Sequence, residues 1–104
     1  PVAVRPAASP ALAAPPRRLA LVIDDEMFVR EVAASTLEDL GYSPLLAGDG
    51  RSGLELFRAN RGAVEVVILD GVMPGMSGAD VLAAIRAEAA DARVVLISGY
   101  PDRR

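Results

Sequence analysis

Leu19-Ala20-Leu21-Val22-Ile23-Asp24-Asp25 sets a short apolar run directly against two acids, and Val64-Glu65-Val66-Val67-Ile68-Leu69-Asp70 repeats the arrangement further along the chain. A β-branched apolar run with little alternation predicts a parallel strand buried on both faces. Whatever follows such a strand lies at its carboxyl end, where open α/β sheets place their sites. If both strands are central, Asp24, Asp25 and Asp70 collect at one edge of the sheet. Like charges gathered so closely need a counter-charge, and a divalent cation bound by oxygen ligands supplies one.

Around these strands the pattern alternates between strand and helix, which argues for βα units and a parallel sheet. Residues 26–40 place Phe28, Val29, Val32, Ala33, Leu37 and Leu40 at amphipathic helical spacing, with Gly41 as the C-terminal stop. A short strand over 43–46 precedes a helix over 52–59, capped by Asp49 or a neighbour, with Leu54, Leu56 and Phe57 partly buried. The strand over 64–69 leads into the loop Gly71-Val72-Met73-Pro74-Gly75-Met76-Ser77-Gly78. A third helix over 79–89 turns Val81, Leu82 and Ile85 inward, and a fourth strand over 93–97 ends in Ser98-Gly99-Tyr100-Pro101. Glu26 reads as the start of the first helix, where a carboxylate suits the helix dipole. Met73 and Met76 read as loop packing.

Composition narrows the chemistry. With 104 residues, 52% of them hydrophobic, and mean hydropathy +0.32, the chain has room for one domain with a modest core. Its apolar stretches are of strand length, far short of the roughly 20 residues of a membrane-spanning helix. Zero cysteines and zero histidines exclude disulfides, thiolate or imidazole metal ligands and a histidine base, leaving carboxylates, hydroxyls and backbone. All 11 basic residues are arginine, so the sequence contains no lysine. A net charge of -3 gives no reason to expect direct binding to nucleic acid, and the short apolar stretches give none to expect insertion of this segment into a membrane. Residues 1–18 hold five of the 8 prolines and show no helical or strand period, which reads as an extended linker. With no Met and no compact apolar segment, a targeting peptide fits less well. A start at Pro1 reads as a piece of a longer chain.

Taken singly, the marked residues have plainer roles. Asp24 and Asp25 can cap the next helix, Asp70 can open a turn before Gly71, and Ser98 can form one. Together, however, Val22-Ile23-Asp24-Asp25-Glu26, the segment 69–78 and Leu96-Ile97-Ser98-Gly99-Tyr100 resemble the receiver domain of bacterial two-component signalling. The resemblance covers residues 19–104. It implies an α/β, doubly wound parallel sheet of the flavodoxin-like kind, with strand order 2-1-3-4 and the fifth βα unit missing.

The same resemblance implies the site. Asp70 matches the aspartate that accepts a phosphoryl group, and Asp24 and Asp25 match the acidic pair that, with Asp70 and the backbone carbonyl of Val72, holds Mg²⁺. Ser98 matches the hydroxyl residue that bonds a phosphoryl oxygen and moves on activation, and Gly99 leaves space beside it. Pro74 and Gly78 shape the loop. The implied partner is the phosphohistidine of a histidine kinase or of a histidine phosphotransfer domain, in a cytoplasmic phosphorelay. The implied chemistry is self-phosphorylation and dephosphorylation rather than conventional turnover.

The sequence also departs from that family. The lysine expected after a fifth strand is absent, and the chain stops just past its fourth, so the sequence reads as truncated. Strand four then becomes an exposed edge, and apolar surface beside the first helix lies uncovered. This predicts marginal stability, self-association or partial disorder. The linker favours a receiver fused behind a kinase over a free-standing response regulator. Two other functions compete: a phosphorylation-independent interaction module on the same fold, and a Mg²⁺-dependent phosphohydrolase. The last ranks lowest, because such enzymes need a second aspartate where Val72 stands.

Overall fold

The computed structural model describes residues 18–97. The elements run β1 (Arg18–Ile23), α1 (Met27–Asp39), β2 (Tyr42–Ala47), α2 (Gly50–Ala59), β3 (Val64–Asp70), α3 (Gly78–Glu88) and β4 (Val94–Ile97). The strands form a 4-stranded parallel sheet in the order β2-β1-β3-β4, as the sequence predicted. Residues 1–17 and 98–104 lie outside the described part, and with them the linker and Ser98.

Local chemistry sets most element ends. Gly41 closes α1 with φ +94, and its N–H donates to the Glu38 carbonyl at 3.0 Å. Asp49 accepts from the Ser52 N–H at 2.7 Å and so starts α2 at Gly50, two residues before the predicted start. Ser77 and Asp80 form a reciprocal capping box at the start of α3, a signal the sequence reading passed over. Pro44 falls on β2, whose pairing is with β1 alone among the described strands, so its missing N–H leaves no gap in a central ladder. β1 takes in Arg18, which the sequence reading assigned to the linker. Its guanidinium pairs with Glu65 at 2.7 Å and lies 4.6 Å from the centre of the Tyr42 ring.

The core is lopsided. On one face Leu21, Ile23, Val67 and Leu69 pack with Leu54 and Phe57 of α2 and Val81 and Ile85 of α3. On the other face the cluster is Ala20, Val22 and Leu37, with α1 as its cover. This corrects the expectation that both acid-ended strands are buried on both faces. β1 is, but β3 buries Val67 and Leu69 while Val66 and Ile68 stay half-buried, since among the described elements α1 alone covers their side. It also leaves much of α1's apolar spacing unused: Phe28 is 75% and Val32 50% exposed. The uncovered apolar surface predicted beside the first helix is present.

Candidate acidic centre

The β1–β3 ladder pairs Ile23 with Leu69, which sets the next residues, Asp24 and Asp70, side by side at the carboxyl edge of the sheet. Asp25 joins them, so that one carboxylate oxygen from each of the three acids lies within 4.8 Å of the others. Asp24 is 8% exposed, Asp25 is exposed and Asp70 is half-buried. An open cleft of about 590 Å³ lies over them, with Val29, Val72, Pro74 and Ile97 along its walls.

Asp24 and Asp70 are held by backbone. The Asp24 N–H donates to the Ala47 carbonyl at 3.1 Å, extending the β1–β2 ladder by one residue. Its Oδ1 accepts from the Glu26 N–H at 2.9 Å, which turns the chain into α1. Glu26 is the N-cap of that helix and makes no side-chain cap of its own, so Asp24 fixes the turn just ahead of the helix. Asp70 Oδ1 accepts from the Val72 N–H at 3.0 Å, and the Gly71 N–H donates to the Ile97 carbonyl at 2.9 Å. The start of α3 presses against Asp70 from behind: a Cβ on Gly78 would land on the Asp70 carbonyl oxygen and 2.6 Å from Gly71 Cα.

Burial pushes the Asp70 carboxyl above its ordinary value. The Val72 amide opposes that shift, and the neighbouring Asp24 and Asp25 charges add to it. A site of three hard oxygen donors with no nitrogen or sulfur suits Mg²⁺ or a similar hard cation, which keeps several of its own waters and takes few carboxylates. The residues therefore fit the group the sequence implied.

The structure brings together Asp24, Asp25 and Asp70 and places Val72 on the rim, 67% exposed, with its amide bonded to Asp70. Ser98 lies outside the described residues. Met73 is buried in the core, as loop packing requires, whereas Met76 is 39% exposed. One residue at the site went unremarked in the sequence: Arg30, whose Nη1 donates to the Asp24 carbonyl at 2.8 Å. A signal for it existed, because Arg30 is the sole basic residue between Arg18 and Arg51 and follows the acidic pair within two helical turns.

Residues 20–104 match the family model of the response regulator receiver domain. The chain is 38% identical over 78 residues to the probable transcriptional regulatory protein TcrX of Mycobacterium tuberculosis, covering 75% of this chain and 32% of TcrX. It is 33% identical over 82 residues to the sensor kinase CckA of Brucella abortus, covering 79% of this chain and 9% of CckA. It thus spans a third or less of these relatives. Among solved structures it resembles the response regulator TrrA of Thermotoga maritima in complex with Mg²⁺-BeF, with 37% identity, TM-score 0.74, and 80% of this chain and 70% of that chain covered. TrrA has also been solved in complex with the histidine kinase ThkA.

Proposed function

The chain belongs to the response regulator receiver domain family of two-component systems, and on that footing we propose that Asp70 accepts a phosphoryl group from a phosphohistidine of a histidine kinase or a histidine phosphotransfer domain. The observation that carries this reading is the convergence of the three carboxylates within 4.8 Å at adjacent strand ends. Asp24, Asp25 and Asp70, with the carbonyl of Val72, would hold Mg²⁺. When bound, the ion neutralises charge between the acids and the incoming phosphoryl group, and lets one anion approach another.

The chain's own residues do the rest. Asp70 is the nucleophile: one carboxylate oxygen forms the new O–P bond, the P–N bond to the donor imidazole breaks, and that imidazole leaves as the neutral base after taking a proton from solvent. The Val72 amide fixes Asp70 Oδ1, so the carboxylate's rotation is set before the donor arrives. Burial and the neighbouring acids leave ionised Asp70 under-stabilised, which raises its proton affinity and favours a cation beside it. Ser98 donates a hydrogen bond to the phosphoryl group. The resemblance to TrrA with Mg²⁺-BeF supports the cation, and the ThkA–TrrA complex supports a kinase as donor.

The test is intact-mass analysis after incubation with acetyl phosphate. A gain of one phosphate that needs Mg²⁺ and disappears in Asp70→Asn is the expected result. No gain in the presence of Mg²⁺ would overturn the reading. It would then favour an interaction module that works without phosphorylation, to which the exposed apolar surface of α1, Phe28 and Val32 foremost, lends support.

A further inference from the structure

We propose that Arg30 is a positioning residue for the acidic centre, fastening the turn that presents Asp24 and Asp25 to Mg²⁺. The proposal rests on the phospho-acceptor reading only in naming Mg²⁺ as the cation. Arg30 sits in the second turn of α1 and its N–H donates to the Glu26 carbonyl at 3.0 Å, so its backbone is anchored to the helix start. Its guanidinium runs back over that start, and Nη1 donates to the Asp24 carbonyl at 2.8 Å. The same end of the guanidinium also lies against the β2–α2 loop: a Cβ on Gly48 would stand 3.1 Å from Nη1 and 3.6 Å from Cζ. Gly48 directly follows Ala47, whose carbonyl receives the Asp24 N–H. One half-buried side chain thus bridges α1, the end of β1 and the loop after β2, and Asp24 is gripped at its N–H, its carbonyl and its carboxylate.

The bland alternative is that Arg30 is a counter-charge for crowded acids. The two roles predict opposite signs for the metal. A cation beside a divalent-ion site repels the ion, so deleting a counter-charge tightens Mg²⁺ binding. Deleting a positioning residue frees the Asp24 carbonyl and lets the turn wander, which weakens binding in spite of the lost repulsion. Arginine suits the second role, because its planar fork loses little freedom per hydrogen bond formed.

The test is Mg²⁺ titration by calorimetry of the 104-residue chain, its Arg30→Met and Arg30→Lys variants, and Gly48→Ala, alongside amide hydrogen exchange at Glu26 without metal. Arg30→Met should weaken Mg²⁺ at least threefold and speed exchange at the Glu26 amide, and Arg30→Lys should restore affinity to within about twofold. Gly48→Ala keeps the charge but crowds Nη1, and should weaken Mg²⁺ in the same direction; it carries the test if Arg30→Met does not melt cooperatively. Unchanged or tighter Mg²⁺ binding in Arg30→Met, or in Gly48→Ala where Arg30→Met does not fold, would overturn the proposal. Absence of Mg²⁺ binding in the unmodified chain would instead remove the phospho-acceptor reading, and Glu26 exchange would still report whether Arg30 holds the turn.

Discussion

The first residue of α3, Gly78, lies directly against the backbone carbonyl of Asp70, so close that a single methyl group there would collide with main-chain atoms of Asp70 and Gly71. The obstacles are backbone, which cannot swing aside as a side chain can. The loop 71–77 therefore leaves Asp70 and returns to its own starting point, and the helix start holds the end of β3 in place.

Gly78→Ala should consequently displace both α3 and Asp70. The expected cost is about 1–3 kcal/mol of stability, the usual range for forcing extra volume into a closed site. Acetyl phosphate labelling of Asp70 should also slow at temperatures where the variant is still folded. Equilibrium urea denaturation together with the labelling rate checks this, and wild-type values for both would show that the loop can yield.

Asp70→Asn should raise the melting temperature by a few degrees at pH 7 in chelator. The folded carboxyl is raised above its ordinary value of 3.8, so the folded state binds that proton more tightly than the unfolded chain does. Ionisation of Asp70 thus costs stability, and the cost sets in as pH rises through the folded value. Asparagine keeps an acceptor for the Val72 amide and carries no charge. The advantage should shrink as pH falls and vanish below the ordinary carboxylate value; a pH series of thermal melts reads it directly.

Mg²⁺ should stabilise the chain by mass action, by about 2.7 kcal/mol at one hundred times its dissociation constant. Chelator should return the melt to its starting point. The stabilisation should fade in acid, as protons compete for Asp24, Asp25 and Asp70, and Asp25→Ala should remove most of it. A melt indifferent to Mg²⁺ would deny the acidic centre a cation.

Ser77→Ala should cost about 1 kcal/mol through loss of the α3 cap, in which the Asp80 N–H donates to Ser77 Oγ at 3.2 Å. Since the same helix start braces Asp70, amide exchange near Gly78 should speed up in parallel. Thermal denaturation and exchange measured on one sample separate local fraying from global loss.

Self-association should grow with concentration and depend on the outer side of β4. Among the described strands β4 pairs with β3 alone, and Val95, Leu96 and Ile97 are each nearly half exposed. Val95→Arg should shift sedimentation towards the monomer. Monomeric behaviour of the unmodified chain at high concentration would refute this.

Much of the site was legible because it is written in one dimension. Asp24 and Asp70 each close an apolar run, and a run of that kind has few places to go except into a sheet, with its end at the sheet's edge. Helix ends were equally local: Gly41 at the close of α1 and Asp49 at the start of α2 act through hydrogen bonds within four residues of themselves. Burial was less legible, since periodicity shows which residues share a face but not whether anything covers it. Hence Phe28 and Val32 keep helical spacing and stay exposed, and β3 is fully buried on one side only.

The sequence by itself determined the order of elements, the parallel sheet and the three acids at its carboxyl edge, because strand and helix periods and strand-end residues are properties of neighbours along the chain. Only the tertiary structure decided that Gly78 must lack a side chain behind Asp70 and that Arg30 reaches back to the Asp24 carbonyl beside Gly48. Both depend on how closely separate segments approach once packed, a distance that spacing along the chain does not encode.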